Sequence, residues 1–311
     1  MRIAHFSDLH LLSLEGVGPS RFLNKRLTGY ANLRLKRGSV HRSEYVRVIA
    51  REIARQRADH VVISGDLTNL ALEPEFELAR RVIEKDLGLG VEDVSIVPGN
   101  HDLYTRGAET SQRFATYFAD YLRSDLPELG VDMRVGRFPF VKLRGPAAII
   151  GMSSAVPRLP FVAAGVLGRA QLEALGDILA HPEVKKRTPV VALHHPAHNP
   201  RSRIKTMLEG LHDAALLWTS MQHLPAGMIL HGHLHSRVQR VTPTAHGKIH
   251  HVGATSASLH HAAADRMAGF NVYEIDDSGV VCSIEAHVLE ANAKTFRMGT
   301  VPRFVEGGPG S

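Results

Sequence analysis

Side chains that can bind metal ions occur along this chain in five short groups. The groups are Asp8-Leu9-His10, Gly65-Asp66, Gly99-Asn100-His101-Asp102, His194-His195-Pro196 and Gly232-His233-Leu234-His235. Carboxylate, amide and imidazole groups together bind divalent first-row ions, and one bridging carboxylate completes a two-ion site. No group contains Cys, which argues against a structural zinc cage and for ions with exchangeable water. The order therefore predicts two-metal hydrolysis of a phosphoester.

Each group follows a predicted strand. The strands are Ile3 to Phe6, Val61 to Ser64, Val94 to Val97, Val190 to Leu193 and Met228 to Leu230. Because loops at the carboxyl ends of strands in an α/β sheet converge on one edge, residues far apart in sequence can meet there. The sequence therefore predicts the metal site at that edge.

Amphipathic helices alternate with the early strands. Val46, Ile49 and Ile53 recur at helical spacing, and Pro74 falls in the first turn of the next predicted helix. After Gly232-His235 the pattern changes to strands, at 237–241, 248–252, 269–275 and 280–289, with a hairpin turn at 276–279. The alternation predicts a layered α/β fold.

The composition indicates anionic ligands. The 311 residues suffice for one large globular domain or two small ones. A formal charge of +6 and 20 histidines favour phosphate esters, nucleotides or acidic lipid headgroups. Charge alone does not choose among these ligands.

A reducing, cytoplasmic location is expected. Cys282 is the only cysteine, which excludes an internal disulfide framework. The first residues, Met1-Arg2-Ile3-Ala4-His5-Phe6, lack the long apolar core of a signal peptide. No uninterrupted apolar stretch approaches the roughly 18 to 20 residues that cross a bilayer, so membrane contact is expected only at the surface.

Each motif alone also has an ordinary structural interpretation. Asp8-Leu9-His10 is compatible with a turn and helix cap, and Gly65-Asp66 with a tight turn. His233 and His235 share one face only if the backbone is extended. Five such groups in order, each after a predicted strand, favour a metal site over five unrelated turns.

This order resembles the calcineurin-like metallophosphoesterase family. The family pattern is Asp-x-His, Gly-Asp-x-x-Asp, Gly-Asn-His-Asp/Glu, His and Gly-His-x-His, matched here from residue 8 to 235. The resemblance implies one ion bound by Asp8, His10 and His235, another bound by Asn100, His194 and His233, and Asp66 as the bridge. His195 is the alternative to His194 and otherwise a candidate substrate-binding residue. Asn69 and Ala197 depart from the family's Asp and Pro, which affects ligand orientation and removes no ligand.

The resemblance also implies an enzyme and its chemistry. A hydroxide bridging two divalent ions, Mn, Fe or Zn, would attack phosphorus. His101 would stabilise the phosphoryl oxygens or protonate the leaving group, and Asp102 would orient the His101 ring.

The fold implied by the resemblance is a four-layer αββα sandwich. Two mixed β-sheets are flanked by helices, with the dinuclear site at the carboxyl-terminal edge of the strands. Residues 1–303 are expected to form a single domain, in which 21–40 is a basic amphipathic insert and 237–303 the strand-rich C-terminal part. Residues 304–311 are expected to be a disordered tail.

The segment 21–37 contains no acidic residue and lies outside the metal motifs. Phe22, Leu27 and Tyr30 fall near one helical face, so the segment could lie at a membrane interface or cap a lipid-like substrate. Arg21, Lys25 and Arg26 are then candidate substrate contacts. The alternative is a basic surface helix beside the site. The lack of a recognised nucleic-acid module and of further stacking aromatics argues against nucleic acid as a partner.

Three functions remain open. The leading hypothesis is a phosphodiesterase for a small anionic substrate such as a cyclic nucleotide, similar to the bacterial class III cyclic-nucleotide phosphodiesterase branch. The second is a UDP-2,3-diacylglucosamine-type pyrophosphatase at the inner membrane face, similar to the lipid A precursor branch. The third is a non-catalytic protein-binding scaffold, against which the complete ligand set argues. The oligomeric state is not predicted.

Overall fold

Fourteen strands and eight α-helices lie within the residues that the computed structural model describes, which are 1–22, 26–27, 41–158, 162–198 and 203–304. The strands are β1 (Arg2–Phe6), β2 (His60–Ile63), β3 (Val94–Ile96), β4 (Val131–Met133), β5 (Gly136–Phe138), β6 (Phe140–Arg144), β7 (Ala147–Gly151), β8 (Thr188–Ala192), β9 (Ala226–His231), β10 (Val238–Pro243), β11 (Lys248–Gly253), β12 (Gly269–Ile275), β13 (Val281–Leu289) and β14 (Phe296–Thr300). The helices are α1 (Ser43–Arg55), α2 (Glu73–Val82), α3 (Arg106–Thr110), α4 (Arg113–Phe118), α5 (Arg169–Ala180), α6 (Pro182–Lys185), α7 (Arg203–Glu209) and α8 (Ala214–Met221).

Twelve of these strands form two mixed sheets. The first has the order β14, β13, β12, β1, β2, β3, in which β1 to β3 are parallel and β12 pairs antiparallel with β1. The second has the order β10, β11, β9, β8, β7, β6, with four parallel strands at its centre and an antiparallel strand at each edge. The metal motifs follow the parallel strands β1, β2, β3, β8 and β9.

The sheets pack face to face, and helices cover their outer faces. Ile3 of the first sheet and Ile149 of the second belong to one buried core, which also contains Ile49 of α1. Ile150 points to the opposite face of its strand, as alternation requires, and packs in a second core with Leu175 of α5. The predicted αββα sandwich is confirmed.

The predicted strands and helices are confirmed, apart from shifts of a residue or two at their ends. The short strands β4 and β5, and β14, were not predicted, because their sequences contain charged residues or glycine and no continuous apolar run. Phe304, assigned above to the tail, donates its backbone N–H to the Gln239 carbonyl (2.7 Å). Residues 305–311 and most of the 21–40 insert lie outside the described residues.

Within the described part of the chain, no helix combines the length and the apolar character that crossing a membrane requires.

A buried carboxyl group at the start of α2 holds the loop after β2. The Glu75 side chain is buried and accepts the backbone N–H groups of Leu70 (2.9 Å) and Leu72 (3.0 Å). Burial raises the pKa of this carboxyl to about 8, although the backbone hydrogen bonds act in the opposite direction. The folded protein therefore keeps a proton that the unfolded chain releases near pH 4.5.

We expect the stability of the metal-free protein to fall as pH rises from about 4.5 to about 8 because of Glu75. Below this window both states hold the proton. Within it only the folded state does, so ionisation favours unfolding. Glu75→Gln should remove this contribution, on the order of a few kcal/mol by pH 8. Urea unfolding at pH 5 and pH 8 measures it, with exposed Glu77→Gln as the control on the same helix. An unchanged pH dependence in Glu75→Gln would contradict the assignment.

Candidate metal centre

The seven candidate ligands meet at one edge of the two sheets. From the first sheet, Asp8 and His10 follow β1, Asp66 follows β2 and Asn100 follows β3; from the second, His194 follows β8, and His233 and His235 follow β9. Donor atoms of Asp8, His10 and His235 lie within 4.8 Å of one another, as do those of Asp8, Asp66 and His194. The strand ends therefore place side chains from both sheets in one cluster.

Five of the seven residues adopt left-handed backbone conformations. The φ angles are 54° at Asp8, 46° at His10, 52° at Asp66, 69° at His233 and 49° at His235. Such angles are uncommon outside glycine and persist where the surroundings impose them. Here the amide of Asp8 donates to the Gly65 carbonyl (2.9 Å), and that of His10 donates to the Asp66 carbonyl (3.0 Å). The backbone of His233 and His235 is therefore tightly turned and not extended. The two rings belong to the two different groups of donor atoms described below.

Gly99 and Gly232 allow two loops to approach the carboxylates closely. A Cβ on Gly99 would lie 2.2 Å from Asp66 Oδ1. A Cβ on Gly232 would lie 2.4 Å from Asp8 Oδ2. Neither position has room for a side chain, so both glycines are required by close contact.

Each carboxylate has one oxygen held by the backbone and one directed towards imidazoles. Asp8 Oδ2 accepts the His233 amide (3.0 Å), and Asp66 Oδ1 accepts the His101 amide (2.7 Å). Both side chains are buried. Asp8 Oδ1 faces a ring nitrogen of His235 at 3.1 Å and, among the described residues, accepts no backbone N–H. A buried carboxylate oxygen of this kind is stabilised by a cation.

The first donor group surrounds Asp8 Oδ1. His235 Nε2 lies 3.1 Å from this oxygen and 3.1 Å from His10 Nε2. His10 Nε2 is 3.9 Å from Asp8 Oδ1. Two ligands at about 2.1 Å from one ion, at octahedral or tetrahedral angles, are about 3.0 to 3.4 Å apart. The shorter distances match that spacing.

The second donor group surrounds His194 Nε2. This atom lies 3.1 Å from Asn100 Oδ1 and 3.2 Å from His233 Nδ1. The other ring nitrogen of His194 lies 2.7 Å from the Ser64 carbonyl oxygen, which fixes the ring and leaves Nε2 directed at the cluster. The arrangement repeats the spacing of the first group.

Asp66 Oδ2 lies between the two donor groups. It is 3.9 Å from His10 Nε2 and 3.4 Å from His194 Nε2. A carboxylate oxygen shared in this way fits the bridge of a dinuclear centre. The buried Asp8 oxygen that faces imidazole nitrogens, the ligand spacing and the shared Asp66 oxygen all fit two divalent ions.

His195 is buried, and its ring packs edge-on against that of His194 at a centroid distance of 5.0 Å. Its Nδ1 lies 2.9 Å from Ser154 Oγ. Its ring is 4.7 Å from that of His233, centroid to centroid, and the donor atoms of His194, His195 and His233 are mutually within 4.8 Å. Contacts with Asn100 and Asp66 favour His194 as the ligand, with His195 packed against the same group.

The ring of His101 is positioned by Asn69. His101 Nδ1 lies 2.8 Å from the Asn69 carbonyl oxygen, and the Asn69 side-chain amide donates to the His10 carbonyl. The Asp102 carboxylate instead accepts the backbone amides of Leu67, Thr68 and Gly99. The prediction that Asp102 orients His101 is wrong, because the tight turn from Gly99 to Asp102 directs this carboxylate into the loop.

The candidate substrate contacts from the basic segment bind protein groups where they are described. Arg26 is buried, and its guanidinium donates to the carbonyls of Leu70 (2.7 Å) and Ala71 (3.1 Å). Arg21 forms an ion pair with Glu73 (2.7 Å). Arg26 therefore anchors the chain beside the Asn69 loop, in place of the predicted substrate contact. Lys25 lies outside the described residues.

Two aromatic neighbours of the site were not predicted. Tyr104 stacks on His101, with centroids 5.4 Å apart and planes at 24°. His41 packs edge-on against His10 at 4.9 Å. Tyr104 lies two residues after the Gly99-Asp102 motif in the sequence, so a motif lengthened by two residues would include it. His41 comes from a distant part of the chain and carries no local signal.

The cluster balances its buried carboxylates with a proton on His194. Burial lowers the pKa of His194, but the carboxylates of Asp66 and Asp8 and the Ser64 carbonyl together outweigh burial and raise that pKa to about 9. Burial opposes ionisation of Asp66, yet His194 and His101 hold the pKa of its carboxyl well below the usual range. Positive charge is thus favoured at the centre of the site.

Comparison with known proteins identifies the family. The family model described as calcineurin-like phosphoesterase matches residues 1–237. The chain belongs to this family. It is a metallophosphoesterase, and members of the family use a dinuclear divalent metal centre.

One curated relative is glycerophosphodiester phosphodiesterase GpdQ of Enterobacter lignolyticus (strain SCF1). It is 26% identical over 201 residues, which cover 63% of this chain and 57% of the relative. The match thus spans little more than half of that protein's length.

Solved structures show the same calcineurin-like architecture. A dimetal phosphatase from Danio rerio superposes with a TM-score of 0.58 at 13% identity and covers 97% of this chain and 99% of its own. Purple acid phosphatase PPD1 from yellow lupin (Lupinus luteus) has a TM-score of 0.59 at 13% identity and covers 97% of this chain and 54% of its own. At these identities the likeness establishes the fold.

Gly99→Ala should disrupt the site through contact with Asp66. A Cβ 2.2 Å from Asp66 Oδ1 forces the carboxylate or the loop to move, and we expect at least one ion per chain to be lost. Metal content by mass spectrometry measures the effect. Gly176→Ala is the control, because α5 leaves open space around Gly176. Full metal content in Gly99→Ala would contradict the close-contact argument.

Ion binding should release a proton from His194. Because its pKa is raised to about 9, the metal-free protein is protonated there at neutral pH, and an ion must displace that proton. Affinity for Mn should therefore rise as pH increases from 6 to 8. Calorimetric titrations in buffers of different ionisation enthalpy measure the released protons. An affinity independent of pH, without proton release, would contradict this expectation.

Proposed function

We propose that this chain is a phosphodiesterase for small anionic substrates. Asp8, His10 and His235 would hold one divalent ion, Asn100, His194 and His233 would hold the second, and Asp66 would be shared between them. The observation that carries the proposal is Asp66 Oδ2, which lies 3.9 Å from a nitrogen of the first group and 3.4 Å from one of the second. When bound, two ions activate water and neutralise charge on the phosphoryl oxygens.

His101 is the proposed proton-transferring and phosphoryl-binding residue. Since the Asn69 carbonyl can only accept, Nδ1 carries the proton in that contact, and Nε2 is the atom that exchanges a proton with the substrate. A ring nitrogen of His101 lies within 4.8 Å of donor atoms of His10 and Asp66, so this ring borders the place where a phosphoryl group would bind. Asp102 acts indirectly by holding the loops that carry Asp66 and Asn100.

The substrate class is supported by the relative rather than by a defined pocket. GpdQ is named a glycerophosphodiester phosphodiesterase, so glycerophosphodiesters join cyclic nucleotides as candidate substrates. The positive charge of the chain suits both.

The convergence of all seven donors makes a non-catalytic scaffold the weaker alternative. The donor set accepts Mn, Fe or Zn, and we propose these as the ions. We also infer a single domain over 1–303, because β12 pairs directly with β1.

Asp66→Ala should abolish hydrolysis of bis-p-nitrophenyl phosphate by the Mn-loaded protein, and Asn100→Ala should lower it by about 100-fold or more, since each removes a ligand of the dinuclear centre. Asp132→Ala is the control, because Asp132 is an exposed carboxylate that pairs with Arg137. Initial rates and metal content are measured together. Equal rates in the wild type and both site variants would contradict the assignment.

The substrate is tested with a panel of cyclic AMP, glycerophosphocholine, a phosphomonoester and UDP-2,3-diacylglucosamine. We expect kcat/KM to be highest for a diester. A preference of 100-fold or more for the nucleotide-linked lipid would instead identify the pyrophosphatase alternative.

A further inference from the structure

The ring of His41 lies about as close to the rings of His10 and His235 as those two rings lie to each other. The ring centroids of His10, His235 and His41 form a nearly equilateral triangle. The distance from His10 to His235 is 5.0 Å, and those from His41 to the two rings are 4.9 Å and 5.6 Å. A group bound on the ion between His10 and His235 would therefore lie beside the His41 ring.

The position of His41 is built by the loop that also supports Asp8. His41 Nδ1 lies 2.8 Å from Ser258 Oγ, and the next amide, of Arg42, donates to the Ser258 carbonyl (2.7 Å). A β-bridge joins His41 to Leu259. Ser256 Oγ lies 3.2 Å from Ser258 Oγ and donates to the Asp8 carbonyl (2.6 Å). The ring is thus tied to the same backbone that places the first ligand.

His41 differs from the ligands in one respect. Among the described residues, the groups whose donor atoms converge include His10 and His235 but not His41. The side chain is half-buried and lies on a flank of His10, as His101 does at the same centroid distance of 4.9 Å. Two histidines outside the ligand set therefore stand next to one ligand of the first ion.

We propose that His41 binds the substrate by donating a hydrogen bond to a phosphoryl oxygen held at the first ion. An anionic oxygen at that place is the natural partner of an imidazole N–H, and the charge-assisted bond is stronger than a neutral one. The inference rests on the proposed function, because it needs a phosphoryl group at the dinuclear site. It assigns a binding role to a residue that lies outside all five sequence motifs.

The test compares His41→Leu with wild type in three measurements. These are the dissociation constant of inorganic phosphate for the Mn-loaded protein by calorimetry, the bound Mn per chain, and kcat and KM for bis-p-nitrophenyl phosphate. We expect phosphate to bind about 10-fold or more weakly and kcat/KM to fall about 10-fold to 100-fold, with two Mn retained. His260→Leu is the control, since His260 is half-buried nearby but contacts the Tyr45 hydroxyl (3.0 Å). It should match the wild type.

Ser258→Ala keeps the His41 side chain and removes the hydroxyl partner of its Nδ1. It should weaken phosphate binding less than His41→Leu does, which keeps the test valid if His41→Leu fails to fold. Unchanged phosphate binding in both variants would overturn the proposal, and so would loss of an ion from His41→Leu, since His41 would then be a ligand. A wild type that neither hydrolyses the diester nor binds phosphate would instead overturn the proposed function.

Discussion

Two carboxylates, those of Asp8 and Asp66, are buried side by side, and their negative charge must be neutralised. Burial alone would push both towards the neutral form. Histidines from three strand ends surround them, and in the metal-free protein His194 carries a positive charge because the carboxylates raise its pKa to about 9. A carboxylate cluster of this kind is unfavourable in a folded core without cations, so the architecture around it is explained by the need to place positive charge at fixed points.

The fold meets this need with loops that are short and tightly turned. Five candidate ligands have left-handed backbone conformations. These conformations direct the side chains towards the site directly after the strands, so no long loop is needed. Gly99 and Gly232 let these loops touch the carboxylates, and backbone amides take one oxygen of each. The remaining oxygens then point towards imidazoles. Hydrogen-bonded backbone therefore provides the rigidity that ion positions require.

The sequence alone was sufficient to predict the features of the site that depend on neighbouring residues in the chain. Each ligand lies within four residues of a strand end, and apolar runs located those strands well. Contacts across the chain were not predictable in this way. The Asn69 carbonyl holds His101, and Ser258 holds His41, through backbone and hydroxyl groups that carry no type-specific pattern. Asp102 was misassigned because its position next to His101 in sequence suggested contact, whereas the turn separates the two side chains.

The dinuclear arrangement around Asp66 is tested most directly by a crystal structure of the Mn-loaded protein with anomalous scattering data. The account predicts two peaks about 3.5 to 4 Å apart, one among Asp8, His10 and His235, the other among Asn100, His194 and His233, with Asp66 bound to both. A single peak, or two peaks of which one lies away from Asp66, would contradict it.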